Sequence, residues 1–438
     1  MRLHRLFLLF LSFMLIFAGY SCDEGTSIKK DPQVDPTNPD PTNPDPTNPD
    51  TTNPDPIVKD AEYWARASIA GSVDTLEAFT TISQTTGFPV KCKDGKYLFL
   101  HWHDQGSWSI AGDFNEWNPQ EMTKAGEDLW YSEISVSQAA GSGYKFVYNN
   151  SDYQADTWSR SYQYDDFGEI SYVEPPKTVH LERYHRFAGQ GLKPRTLRVY
   201  VPAGSGPWPV LYAHDGQNLF SPYAIGNGWK LREALAQISA NFLVVGIDNT
   251  EDRMNEYTHV DDKVFGEVFV SKGKEYAAFV HDDVRNFIEK QYPTKELRGL
   301  MGSSLGGLIS LYIAHLYPDS YDIALSLSGT LAWGRFGLDN TTMLKLYQNA
   351  GKRDFTIYAD SGGGPGDGCS TGQEDAHKDE NDRDNYCATK AFVDGLSAMG
   401  YEYEKNLYHW HEPEAEHNEA AWAARVFRPL TLFKNLDK

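Results

Sequence analysis

The stretch Leu300-Met301-Gly302-Ser303-Ser304-Leu305-Gly306-Gly307 stands where two patterns meet. An apolar run that reads as a strand ends at Met301, and a helical stretch over 305–317, closed by Pro318, begins directly after Ser304. A serine flanked by glycines at a strand-to-helix turn is the G-x-S-x-G elbow. The glycines leave room where neighbouring backbone crowds a strained turn, and the helix N-terminus offers N–H donors to a developing oxyanion. Ser304 is therefore the candidate nucleophile and the Leu305 amide the first candidate oxyanion donor.

Working outward, 198–201, 210–213, 243–248, 300–301, 323–327, 355–359 and 404–410 are apolar strand candidates, with helical stretches such as 276–292 between them. Near-continuous apolar strands alternating with helices predict an α/β fold whose mainly parallel sheet is covered on both faces, with active residues at strand C-terminal ends. A serine hydroxyl needs a histidine to take its proton and an acid to orient that histidine. His417, in a loop before the helix that starts near Glu419, is the candidate base. His409 and His411 flank Trp410 and read as wall residues, and His377 sits in a polar, solvated loop. For the acid, the strand over 356–359 runs into a carboxylate-rich loop. Asp360, Asp367, Glu374, Asp375 and Asp384 are the candidates there. The second oxyanion donor falls in 212–220, where Gly216 allows the loop to turn back and Gln217 presents its N–H; His214 there reads as structural.

The chain has 438 residues, long enough for two domains plus accessory segments, and its 40% hydrophobic content excludes wholesale disorder. A net charge of -21 would repel phosphate backbones and anionic lipid surfaces, which argues against nucleic-acid partners. Four cysteines exclude a disulfide scaffold and repeated CxxC zinc patterns, and the spacing of the acidic loop fits no EF-hand. Arg2 and Arg5 precede an apolar run over 6–18, then Gly19, Ser21 and Cys22, which reads as an export signal over 1–21 too short to span a bilayer. Its removal leaves a net charge of about -23. Residues 22–58 hold a repeated Asp-Pro-Thr-Asn-Pro unit and read as an extended linker. Short alternating runs between 97 and 173 predict a β-sandwich over 59–175, and the α/β region follows over 176–438. In an exported chain, Cys369 and Cys387 would close the acidic loop with a disulfide and leave Cys92 free.

Three segments resemble known families. Residues 17–22 resemble a bacterial lipoprotein signal, with Gly19 in place of the usual aliphatic residue, which implies a lipidated Cys22 and attachment to the cell envelope through that lipid alone. The stretch 111–118, with Leu129-Trp130 and Tyr144-Lys145-Phe146, resembles the glycogen-binding type of immunoglobulin-like (E-set) domain. That resemblance implies sugar contacts by Trp117 and Lys145, although a second tryptophan is replaced around Tyr153. Finally, Pro209-Val210-Leu211-Tyr212 with His214-Asp215-Gly216-Gln217-Asn218, Val245-Gly246-Ile247-Asp248-Asn249 with Arg253 and Glu256-Tyr257, the elbow, and His417-Asn418-Glu419 with Trp422 are similar to the family of esterase D, feruloyl and acetylxylan esterases and enterochelin esterases. This last likeness covers about 178–435. It implies an α/β-hydrolase fold, an acyl-enzyme mechanism that requires no metal or organic cofactor, an acid a few residues past its strand, which makes Asp367 the first choice and Asp360 the alternative, and an ester substrate, carbohydrate-linked feruloyl or acetyl groups foremost. A trilactone siderophore is the nearest alternative, and acyl transfer or non-catalytic glycan binding stand further off. Oligomeric state is left open.

Overall fold

The computed structural model describes residues 59–437 apart from 365–367, 370–372 and 380–381. The export signal, lipidation of Cys22, the linker over 22–58 and the first-choice acid Asp367 all lie outside the described residues.

The region read as a sandwich opens with two helices that the strand pattern did not announce, Ala61–Ile69 and Thr75–Gln84. Each is capped by an aspartate whose carboxylate accepts a first-turn N–H, Asp60 from Tyr63 at 2.9 Å and Asp74 from Glu77 at 2.8 Å. Their apolar faces, with Ala65, Phe79 and Ile82, pack on Leu98, Leu100 and Leu129 of a four-stranded antiparallel sheet. The other face of that sheet, with Tyr97, Phe99 and Trp130, meets Trp108, Ile110, Tyr144 and Phe146 of a second antiparallel sheet. Alternate residues of Tyr97–Trp102 thus serve two cores, which is why its apolar run is nearly continuous.

The second sheet does not end at the expected boundary near residue 175. Ser161–Asp165 pairs antiparallel with His180–Phe187, Leu181 opposite Tyr162, so one hydrogen-bonded ladder runs from the sandwich into the α/β region. This covers a sheet edge that would otherwise be open and joins the two parts through backbone hydrogen bonds. Beyond it come Arg195–Val201, then the parallel strands Leu243–Ile247, Trp208–His214, Thr294–Ser303, Ile323–Leu327, Thr356–Ser361 and Leu407–His411 in spatial order. Apart from the outermost strand, the first half of Thr294–Ser303 and the first residue of Thr356–Ser361, the parallel strands are buried along their length, as a sheet with helices on both faces requires. This is an α/β-hydrolase fold with a small antiparallel N-terminal sheet region. The C-terminal ends of the parallel strands bring His214, Ser303, Leu327, Ser361 and His411 to one edge, where the site lies.

Burial in this fold sets a pH dependence. His101, His185 and His214 are pushed down to about 3, and His259 and His409 to about 4, each mainly by desolvation of the imidazolium. Their folded values lie below the unfolded one, so the unfolded chain binds more protons once pH falls under about 6.5. Asp156 and Asp382, raised to about 6 by burial, act in the opposite sense but are fewer. Thermal stability is expected to decline from pH 7 to pH 4; melting temperatures that rise over this interval would contradict the balance.

Candidate active site

Ser304 adopts φ 55° and ψ -123°, backbone angles unfavourable to any residue with a side chain. The turn is held because its neighbours are glycines. A Cβ on Gly302 would stand 2.4 Å from the Gly306 carbonyl carbon, and one on Gly307 2.5 Å from Ser326 Oγ. The Ser304 amide donates to Leu327 O at 2.9 Å, and its hydroxyl is hydrogen-bonded to Thr330 Oγ1 at 3.2 Å. Leu305 is the first residue of the helix Leu305–Leu316.

His417 lies in the loop before the helix Glu419–Arg425, which Asn418 caps by accepting from the Ala421 amide at 3.0 Å. Its ring stands edge-on to Trp422, with centroids 5.0 Å apart, and its Nδ1 donates to Asp384 Oδ1. The carboxylate that meets the histidine is therefore Asp384, not Asp360. Two local features explain the correction. The strand Thr356–Ser361 extends past the reading, so Asp360 is inside it and fully buried, accepting from Tyr358 OH at 2.9 Å, the Ser328 amide at 3.1 Å and Arg425 Nε at 3.1 Å. The chain then returns through Asp384 and Asn385, both left-handed at φ 49° and 59°, which turn Asp384 inward just before the helix Tyr386–Ala398. Asp375 instead pairs with Lys378 at 2.6 Å on the surface.

Ser328 joins these parts. It sits at φ 46°, its Oγ donates to Asp384 Oδ2 at 2.6 Å, and it accepts from Trp422 Nε1 at 3.1 Å and from Arg425 Nη2. With Thr330 two residues on touching Ser304, one short loop after Ile323–Leu327 reaches both the serine and the acid. Sequence reasoning missed Ser328, Thr330 and Arg425. A polar Ser-Gly-Thr directly after an apolar strand, and an arginine closing a short, alanine-rich helix, were the available signals.

The loop bearing Asp384 is pinned by the disulfide Cys369–Cys387, and Cys92 is a free, buried thiol. Cys387 lies in the first turn of the helix that follows Asp384. Replacing both bridging cysteines with serine is expected to cost about 3 kcal/mol of stability, measurable by urea unfolding, and to lower kcat severalfold as the acid loosens. Unchanged unfolding would show that the loop is held by its other contacts.

In the loop expected to hold the second oxyanion donor, Gln217 occupies the tight turn Gly216–Asn218. Asp215, left-handed at φ 60°, precedes it, and its Oδ2 would lie 3.3 Å from a Cβ built on Gly306, so this loop rests on the elbow helix. Burial pushes the Asp215 carboxyl up, but Arg253, bonded at 2.7 and 2.8 Å, and Asn249, at 2.6 Å, outweigh it and hold it below the usual carboxylate range. Asn249 also donates its backbone N–H to Gln217 Oε1 at 3.1 Å. His214 pairs with Tyr276 OH at 3.0 Å behind the loop. Of the wall residues, His411 donates to Gly363 O at 2.6 Å, and His409 is desolvated beside it. His377 is half-buried near Phe336, where the sequence suggested solvent. Trp229 and Trp333 are core, Trp410 is covered by Arg428 at 3.4 Å, and Tyr223 is 73% exposed.

On the sandwich, Trp117, Lys145, Tyr153, Asp165, Phe167 and Ile170 line a groove of about 600 Å³. Trp117 Nε1 donates to Asp113 Oδ1 at 2.9 Å, and the buried Lys145 donates to Phe167 O at 2.9 Å. Tyr153 provides the second aromatic ring of the groove, where the resemblance calls for a tryptophan. Among the described residues no group of His, Cys, Asp or Glu is arranged to hold a metal ion.

A hydroxyl on a strained elbow, an imidazole oriented by a buried carboxylate and amides on two adjoining turns are the parts that acyl transfer requires. The matching family model agrees with that chemistry. The family described as "Putative esterase" matches residues 192–432. The uncharacterized protein YbbA of Bacillus subtilis is 30% identical over 148 residues, 31% of this chain and 57% of its own length. The siderophore triacetylfusarinine C esterase of Aspergillus fumigatus is 25% identical over 138 residues, 30% of this chain and 47% of its own. The chain thus spans only about half to three-fifths of these relatives. Among solved structures, the enterobactin esterase of Shigella flexneri has a TM-score of 0.44 at 14% identity, over 78% of this chain and 93% of its own. A ferulic acid esterase has a TM-score of 0.44 at 13% identity, over 60% and 99%.

Proposed function

The chain belongs to the Putative esterase family, and from that premise we propose that it is an exported, lipid-anchored serine carboxylic ester hydrolase acting on carbohydrate-linked feruloyl or acetyl-type esters. The observation that carries the catalytic part is the Asp384–His417 pair, whose acid accepts from Ser328 in the same short loop that reaches the elbow serine through Thr330. Ser304 Oγ attacks the ester carbonyl carbon while His417 Nε2 takes its proton. The oxyanion is stabilised by the Leu305 and Gln217 amides. The tetrahedral intermediate expels the alcohol, which takes the proton back from His417. Water then attacks the acyl-enzyme by the same route and releases the acid.

The carbohydrate part rests on the groove with Trp117 and Lys145, whose aromatic rings suit the apolar face of a sugar. A trilactone siderophore is the second reading, favoured by the named activity of the Aspergillus relative. The test is release of acid from p-nitrophenyl acetate, methyl ferulate, a feruloylated or acetylated polysaccharide and a trilactone. Fastest turnover of the polysaccharide ester supports the first reading, and fastest turnover of the trilactone the second. Silence on all of them overturns the hydrolase.

A further inference from the structure

Behind His417 lies a second, fully buried carboxylate that the acyl-transfer steps do not use. Asp360 and Asp384 share one guanidinium: Arg425, 1% exposed, donates from Nε to Asp360 Oδ1 at 3.1 Å and from Nη2 to Asp384 Oδ2 at 3.4 Å. The hydrogen bonds favour the ionised forms. Asp360 meets only donors, from Tyr358, the Ser328 amide and Arg425. Ser328 Oγ receives two N–H groups, from Trp422 and Arg425, so its single proton is directed at Asp384 Oδ2. Asp384 Oδ2 also accepts from the Gly362 amide, which leaves Oδ1 for His417.

We propose that Asp360, Arg425 and Ser328 are positioning residues that set both the direction and the net charge of the triad acid. Burial pushes the Asp360 carboxyl up, and the Arg425 guanidinium and the Tyr358 hydroxyl oppose that shift; with both carboxylates ionised and Arg425 charged, the buried group carries one negative charge. When His417 takes the serine proton, that charge is balanced and the cluster becomes neutral. Arg425 alone would cancel Asp384 and leave the imidazolium without a counter-charge. Asp360 restores the negative charge, so a carboxylate that touches neither Ser304 nor His417 still lowers the barrier. This inference rests on the esterase reading for its kinetic consequence, but its electrostatic part does not depend on a substrate.

Other charges face the pair. Glu419, at the start of the helix after His417, and Asp382, from the acid loop, are both raised by burial, and the Asp215–Arg253 pair lies beyond Glu419. None of these changes in the variants below, so the comparison isolates Asp360 and Arg425.

The experiment compares the wild-type protein with Asp360→Asn, Arg425→Met and Ser328→Ala. It measures kcat and KM for p-nitrophenyl acetate against pH, and follows the His417 ring by NMR of ¹³C-histidine-labelled protein, its resonance assigned with His417→Gln. Asp360→Asn keeps the shape and removes one negative charge. It is expected to lower kcat about 10- to 30-fold with KM within about twofold. The acid limb of the profile and the ring titration both move to lower pH. Arg425→Met moves both to higher pH, and Ser328→Ala lowers kcat without moving either. Opposite movements are what a merely structural role cannot produce. The proposal is overturned if Asp360→Asn leaves kcat and the titration unchanged, or if the two charge variants shift the same way. Should Arg425→Met fail to fold, Asp360→Asn decides alone. A wild-type protein that hydrolyses nothing overturns the esterase reading, while the ring titration still tests the charge balance.

Discussion

Asp384→Asn is expected to lower kcat about 10⁴-fold with KM nearly unchanged, whereas Asp375→Asn stays within about twofold of wild type. The difference follows from what each carboxylate touches. Asp384 accepts the Nδ1 proton of His417, which leaves Nε2 as the basic nitrogen for the serine. An asparagine there can present its amide N–H to Nδ1, which stabilises the opposite tautomer and places the ring proton where the base is needed. Asp375 pairs with an exposed lysine, and solvent screens what it contributes. Burst kinetics with p-nitrophenyl acetate separate loss of chemistry from loss of binding. An Asp384→Asn variant with more than a tenth of wild-type kcat would mean that another group orients His417.

The elbow and the histidine could be read from sequence because their signals are local. Glycines around Ser304 report a close approach of backbone within six residues, and His417 precedes a helix start marked by Asn418. The acid could not be read in this way. Its loop offers many carboxylates without periodicity, and only two left-handed residues and a disulfide decide which one turns inward. Arg425 was illegible for a related reason: one arginine in a short helix looks like a solvated face until its carboxylate partners from two other elements are known. The fold shows the same division. Strand positions followed from apolar runs, but the pairing of Leu181 with Tyr162 that fuses sandwich and hydrolase sheets is a long-range register that no local pattern encodes. The first two helices were missed because their caps are single aspartates in a polar stretch.

Ser304 is where stability and activity are expected to part most widely. Ser304→Ala removes the only atom able to form the acyl-enzyme and should lower kcat by about 10⁶-fold. It should still exceed the uncatalysed rate, because the Leu305 and Gln217 amides remain to stabilise a water-derived oxyanion. Ser304→Gly should be as inactive but differs in stability. At φ 55° and ψ -123° a side chain is strained by about 1–3 kcal/mol, and glycine relieves most of that. Against this stand the loss of the Ser304 hydroxyl's bond to Thr330 and the greater freedom of glycine in the unfolded chain, each worth about 1 kcal/mol or less. Ser304→Gly should therefore equal or exceed Ser304→Ala in urea midpoint, since alanine keeps the strained Cβ and also loses the hydroxyl. The reverse order would mean that the elbow is relaxed in solution and that its geometry is imposed only when substrate binds.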